Sequence, residues 1–243
     1  MNFWISMKFF RDDFDSRIFN KEVYKLFLEK ESQIDLSYEK NIANKKIDII
    51  FAFSAYSTEN INFFYRHNFR FINTRNIYEC KDLSFSPVDV RNYSIVEAGD
   101  NVRVDETEAD TILKNIAETS RYFKDTCIKK EIALILYQEW LKNSLEGYAE
   151  KVFLLYLGKF LIGFITLKGE RNKLFIDLIG IDEKFISKGL GGLLINRAKD
   201  FCLKQNKELW VITEGENVAA NRFYQKNGFL VKEFRLVFHK HYK

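Results

Sequence analysis

A strand-like run, a loop with three closely spaced glycines and a helix-like run follow one another at Ile179-Gly180-Ile181-Asp182-Glu183-Lys184-Phe185-Ile186-Ser187-Lys188-Gly189-Leu190-Gly191-Gly192-Leu193-Leu194. Glycine lets backbone approach a ligand closely and adopt positive φ. The first turn of a helix has unpaired N–H donors and the positive end of the helix dipole. Together these make a cradle for a pyrophosphate. The contacts expected here are the amides of Gly189, Leu190, Gly191 and Gly192, the strand backbone at Ile179 and Ile181, and the side chains of Lys184 and Lys188. Neither GxxxxGK[ST] nor G-x-G-x-x-G is present, so this is neither a P-loop nor a dinucleotide fingerprint. A glycine-rich turn needed only for close helix–strand packing would have the same residues.

A second informative stretch runs from Thr213 to Phe229 (TEGENVAANRFYQKNGF). Asn217 and Tyr224 are seven residues apart, which puts both on one face of a helix and lets them address one ligand. Asn217 is equally a good helix N-cap, and Tyr224 equally a core aromatic with a satisfied hydroxyl. Gly228 stands at a natural position for closing that helix.

The two stretches, in this order and separation, resemble the GNAT N-acetyltransferase superfamily. The glycine loop is similar to its [Q/R]-x-x-G-x-[G/A] signature, with Gly189 and Gly191 as the glycine pair. Ile186 departs from the expected Gln or Arg; this removes a side-chain contact and leaves the amides. The second stretch is similar to N-x-x-A-x-x-x-Y-x-x-x-G-F. The resemblance implies acetyl-CoA as cofactor, held by the residues above and by Asn217, with Tyr224 as general acid toward the departing thiolate. More diffusely, the chain resembles the TDP-fucosamine acetyltransferase subgroup at Phe69-Arg70-Phe71, Ser120-Arg121-Tyr122, Leu136-Tyr137-Gln138-Glu139-Trp140 and Gly163-Phe164-Ile165-Thr166-Leu167. That subgroup acetylates the 4-amine of a TDP-linked deoxyamino sugar, and it has an N-terminal partial-GNAT domain. A protein lysine, a polyamine or another small amine is the alternative acceptor, and a catalytically idle CoA-binding relative is the alternative class.

Acyl transfer to an amine also needs donors for the carbonyl oxygen, expected from backbone N–H on the 173–181 strand. It needs a route for the amine's proton. Glu214, Glu216 or a chain of waters would serve, and the sequence assigns no base. His239 and His241 read as part of a solvated basic tail. Arg121 and Lys124 would suit a nucleotide diphosphate, and Tyr122, Phe123 or Trp140 a base or sugar ring. The plainer reading keeps the aromatics in the core and Arg121 on a local carboxylate.

The elements that must position these residues read as α/β with a mixed sheet. From residue 93 the order is β-α-α-β-β-β-α-β-α-β, which predicts a mixed sheet with helices on both faces, here the GNAT fold. Upstream, residues 18–30 have helical spacing, 47–53 read as a buried strand, 59–67 as a helix and 69–80 as a strand or strand pair. The polar segment 83–92 contains Pro87, the only proline of 243 residues, and predicts a boundary between a partial GNAT-like domain, 1–85, and a catalytic domain, 93–243. Residues 62–69 (NFFYRHNF) echo 221–229 (NRFYQKNGF), as if the first part were a degenerate half-copy without the glycine. No glycine precedes Gly99, so the first part holds no phosphate loop.

Bulk composition narrows the partners. The net charge of +4 is spread over mixed charges, without the basic stripe of a nucleic-acid binder. Cys80, Cys127 and Cys202 are dispersed, without zinc spacing, so no metal is expected and a cytoplasmic setting is. No apolar run approaches the ~20 residues of a membrane span. The partners expected are a small-molecule amine and, through the aromatic-rich first part, a second copy of the chain.

Overall fold

The computed structural model describes residues 7–29, 34–84, 92–99 and 104–242. Pro87 and most of the boundary segment 83–92 lie outside the described residues. The first half of the chain holds β1 (Met7–Arg11), α1 (Asp13–Phe19), β2 (Val23–Leu28), α2 (Ile34–Ile42), β3 (Ile49–Ser54), α3 (Thr58–Arg66) and β4 (Arg70–Cys80). The second half holds β5 (Tyr93–Glu97), α4 (Glu106–Glu118), α5 (Arg121–Lys124), α6 (Lys130–Asn143), β6 (Lys151–Leu157) and β7 (Phe160–Glu170). It continues through β8 (Lys173–Ile181), α7 (Leu190–Lys204), β9 (Glu208–Glu214), α8 (Val218–Lys226) and β10 (Phe229–His241). The expected mixed sheet with helices on both faces is what forms.

Alternation along β3 shows how both faces are covered. Ile49, Phe51 and Phe53 pack into one core with α1, α4, α5 and α6, while Ile50 and Ala52 pack into another with α2 and α3. A third core joins α7 and α8 to β6–β9. Every residue of β3 is buried, as a strand covered on both faces requires.

Residues 18–30 depart from their helical spacing. The chain leaves α1 at Asn20, which takes a left-handed conformation (φ 49°) and donates its N–H back to Arg17 and Ser16. Val23, Leu26, Phe27 and Leu28 then lie in β2, between β1 and β3. An apolar run covered on both faces lacks alternation, so its spacing mimics a helix.

The strand order is β1-β2-β3-β10-β4-β9-β8-β7-β6-β5, one sheet in which the halves exchange strands. β2 and β3 run parallel, as do β8 and β9. β3 then pairs antiparallel with β10 from the other half, and β9 pairs antiparallel with β4. β4 and β10 pair with each other at the centre. A β-α-β-α-β unit thus occurs twice about an approximate two-fold axis. Ser57 caps α3 as Asn217 caps α8, and buried Phe69 immediately precedes β4 as buried Phe229 begins β10.

This match corrects the echo read from the sequence. Asn68 takes the positive φ (58°) that Gly228 takes (85°), so no residue is missing between the copies. The residue equivalent to Tyr224 is therefore Phe64, fully buried, and not Tyr65, which is exposed. The first copy has no hydroxyl at that position.

The C-terminal histidines are not a solvated tail. β10 is an interior strand, and His239 is fully buried, its Nδ1 2.7 Å from Asp125 Oδ2. His241 Nε2 lies 2.8 Å from the same oxygen. Burial pushes His239 down to about 4, against the pull of Asp125, so it is neutral near pH 7.

Candidate active site: two cavities meeting where two strands part

β8 and β9 pair from Lys173↔Glu208 to Ile176↔Val211 and then separate, although β8 continues to Ile181 and β9 to Glu214. The separation starts at a β-bulge. On the other edge of β8, Ile176 pairs with Leu167 and Leu178 with Thr166, which leaves Asp177 as the extra residue. A bulge bends its strand and re-aims the extra side chain. Thr166 Oγ1 accepts the Leu178 N–H at 3.0 Å, on the β7 side. By alternation the next N–H, of Ile179, faces the gap that β9 has vacated.

One cavity, of about 610 Å³, opens into that gap. Among its walls are Ile179, Ile181, Gly189, Leu190, Gly191, Gly192, Asn217 and Tyr224, all named from the sequence. Gly189 is the N-cap of α7, with φ 78° and no side-chain cap, so its αL geometry favours glycine. Gly192 N–H donates to the Gly189 carbonyl at 2.9 Å. The N–H groups of Leu190 and Gly191 occupy first-turn positions with no helical carbonyl to reach. A Cβ on Gly191 would come within 3.0 Å of the Phe223 ring, so the absence of a side chain there keeps α7 close to α8. A bare, N–H-rich turn at a helix start fits a pyrophosphate-bearing cofactor. Lys184 and Lys188 do not line this cavity; Lys188 Nζ lies 4.7 Å from the centroid of Phe185, a wall residue.

Tyr224 is 5% exposed, and burial pushes its phenol well above the usual value, which keeps it protonated. Asn217 Oδ1 accepts the Ala220 N–H at 3.0 Å, so it caps α8 and lines the cavity as well. Asn221, not singled out from the sequence, holds this corner. Its Nδ2 donates to the carbonyls of Glu214, Gly215 and Asn217 at 2.7–3.1 Å. Its Oδ1 accepts from Asn76 Nδ2 and Tyr78 OH, both at 2.8 Å and both on β4. The first half of the chain thereby fixes the helix that bears Tyr224.

A second cavity, of about 630 Å³, lies beside the first. Asp12, Phe14, Asp15, Lys25, Phe27 and Phe53 from the first half form one side of it, and residues of α5, α6, β7 and β8 the other. Arg75, Trp140, Ile176, Asp177 and Ile212 line both cavities, so the two meet at the bulge. Asp177 Oδ2 accepts from Trp140 Nε1 at 2.7 Å. Burial pushes the Asp177 carboxyl above its usual range, against Trp140 and Lys168, which pull it down. The only signal for it in the sequence is one acid inside the apolar run KLFIDLIGI.

The remaining candidates from the sequence divide between the cavity walls and other places. Arg121 and Tyr122 line the second cavity, but Lys124 pairs with Glu216 outside it, and Phe123 packs into the core beneath α5. Glu214 lines the first cavity, is buried and accepts from Asn73 Nδ2 at 2.8 Å. Among the described residues one group offers three metal-ligand atoms within 4.8 Å of one another: Asp125, Cys127 and His241. Arg70 already places its guanidinium there, 2.8 Å from Cys127 Sγ and 3.6 Å from Asp125 Oδ1. No described helix is long and apolar enough to cross a membrane.

Comparison with known proteins agrees with the geometry. Residues 114–229 match the model of the Acetyltransferase (GNAT) family. The chain is 26% identical over 144 residues to the spore coat polysaccharide biosynthesis protein SpsD of Bacillus subtilis (strain 168), a match covering 59% of this chain and 48% of SpsD. It thus spans about half the length of that curated relative. A GCN5-related N-acetyltransferase from Sphaerobacter thermophilus superposes with TM-score 0.60 at 11% identity, covering 97% of this chain and 76% of that one. A tandem GNAT protein from the clavulanic acid biosynthesis pathway superposes with TM-score 0.57 at 10% identity, covering 90% and 75%. Residues 114–229 thus resemble the GNAT acetyltransferase family, and these solved neighbours share the fold.

Proposed function

We propose that the protein is an acetyl-CoA-dependent N-acetyltransferase whose acceptor is a small amine, namely the amino group of a nucleotide-linked (TDP) deoxyamino sugar, acting in the cytoplasm. The observation that carries this reading is the meeting of two cavities at the Asp177 bulge, one with a bare helix N-terminus and Tyr224 in its walls. The match to a protein named for polysaccharide biosynthesis supports the choice of a sugar. Residues 1–85, on this reading, are a partial GNAT unit that completes the acceptor cavity of the unit formed by 93–243.

Acetyl-CoA, when bound, supplies an acyl thioester. The residues of this chain do the rest. The amides of Leu190 and Gly191 would hold the pyrophosphate of acetyl-CoA, and the gap between β8 and β9 would take its pantetheine arm. Holding thioester and amine in adjoining cavities makes their encounter effectively intramolecular. The Ile179 N–H stabilises the carbonyl oxygen as it gains charge. Asp177 accepts the amine's proton, and burial, which raises its pKa, makes it a stronger base than an exposed carboxylate. Tyr224 protonates the departing sulfur.

The test is release of CoA thiol from acetyl-CoA in the presence of TDP-4-amino-4,6-dideoxygalactose. Release that depends on both compounds is expected. Release with simple amines but not with the TDP-sugar would move the acceptor to another class.

A further inference from the structure

Two of the four cations that line the second cavity, Arg75 and Arg121, have too few partners. Arg121 is 3% exposed, and its guanidinium lies over Phe53 and Tyr122, 5.2 and 4.0 Å from the ring centroids. Arg75, on β4, lies 5.0 Å from the same Phe53 ring. Both guanidiniums face one carboxylate, Glu214, at 3.7 Å from Arg75 and 3.8 Å from Arg121. Those separations exceed the 2.7–3.2 Å of an N–H···O hydrogen bond. The Glu214 oxygens are directed elsewhere, Oε2 to Asn73 Nδ2 at 2.8 Å and Oε1 to the Arg121 backbone N–H at 3.4 Å.

Each guanidinium has five N–H donors in a fixed fork. Among the described residues the side-chain hydrogen bond they make is from Arg121 Nη2 to Tyr122 OH, and both Nε atoms are buried without a hydrogen-bond partner. The other charges nearby do not close the deficit. Asp12 and Asp15 face Lys25 at 2.5 and 3.4 Å, and burial raises the Asp15 carboxyl toward its neutral form. Asp177 accepts from Trp140. A buried cation with unused donors, as Arg121 is, is costly unless a counter-charge meets it, and Arg75 is half-buried beside it. The two guanidiniums keep donors free for an anion.

We infer that Arg75 and Arg121 form an oxyanion subsite that binds an acidic group of the acceptor, either a phosphoryl group or a carboxylate. This rests on the reading of the second cavity as the acceptor's. It assigns acceptor recognition partly to the first half of the chain, because β4 supplies Arg75 and β3 supplies the Phe53 ring beneath both forks. Arg75 and Asp177 both line the junction of the cavities, so the acidic group and the reacting amine belong to one molecule with the two close together. A simple polyamine, which has no acidic group, is then a poor acceptor.

The experiment is calorimetric titration with pyrophosphate and, separately, with succinate, each with and without saturating CoA, which blocks the first cavity. Variants are Arg75→Gln, Arg75→Lys and Arg121→Lys. The wild-type protein should bind one equivalent of at least one of the two anions with CoA in place. Binding of pyrophosphate marks a phosphoryl acceptor and binding of succinate a carboxylate acceptor. Arg75→Gln should weaken the anion at least tenfold, and the lysine variants less, since they keep the charge and lose the fork. CoA binding by each variant shows that it is folded. Binding of neither anion by the wild type, or equal binding by Arg75→Gln, overturns the subsite. Failure of CoA to bind while the anion still binds at Arg75 counts against the acetyltransferase reading and leaves the subsite standing.

Discussion

Replacing Tyr224 by Phe should lower kcat at least tenfold while leaving the affinity for acetyl-CoA nearly unchanged. The ring is 5% exposed and packs against Tyr78, Phe223 and Phe229, so Phe keeps the shape and removes only the hydroxyl. A thiol has a reference pKa of about 8.5 and tyrosine about 10, so full transfer to a free thiolate would be uphill by roughly 2 kcal/mol. Burial raises the tyrosine further and widens that gap. The proton therefore moves while charge is still building on a sulfur that the same walls desolvate. A general acid in such a position is worth about 10²–10⁴ in rate, and a good thiolate leaving group puts this case toward the low end. Steady-state kinetics with acetyl-CoA binding measured in parallel separate the two quantities. An unchanged kcat would remove Tyr224 from the chemistry.

Replacing Asp177 by Asn should cost about a hundredfold or more in kcat/KM for the acceptor, in the range expected for loss of a general base. Asn keeps an oxygen for the Trp140 N–H, so the bulge and the indole should stay in place. The pH dependence supplies a second readout. A base must be ionised to act, and the Asp177 pKa is raised by burial, so wild-type activity should fall as pH drops through that raised value. In Asp177→Asn this limb should vanish and leave only the titration of the acceptor amine. A profile and a kcat/KM identical to wild type would assign proton removal to water or to another carboxylate.

The glycine loop and Tyr224 were legible in the sequence because each position has a local requirement. Gly189 needs a positive φ, a Cβ on Gly191 would press on Phe223, and Gly228 closes α8 in a left-handed turn. The residues that escaped depend on distant partners. Asp177 matters because β8 and β9 part there, and Arg75 because β4 crosses into the other half of the sheet. His239 was misread for the same reason, since nothing local in FRLVFHKH shows that the strand is interior. The echo between the halves was visible in the sequence, but its alignment needed the backbone. Only the left-handed Asn68 shows that Phe64, without a hydroxyl, stands where Tyr224 does.

One calorimetric titration of the purified protein with acetyl-CoA tests the central claim most directly. The account predicts saturable binding of one equivalent per chain, weakened when Gly191 is replaced by Asp, whose carboxylate would repel the pyrophosphate and whose Cβ would press on the Phe223 ring. No binding of acetyl-CoA by the folded protein would contradict it.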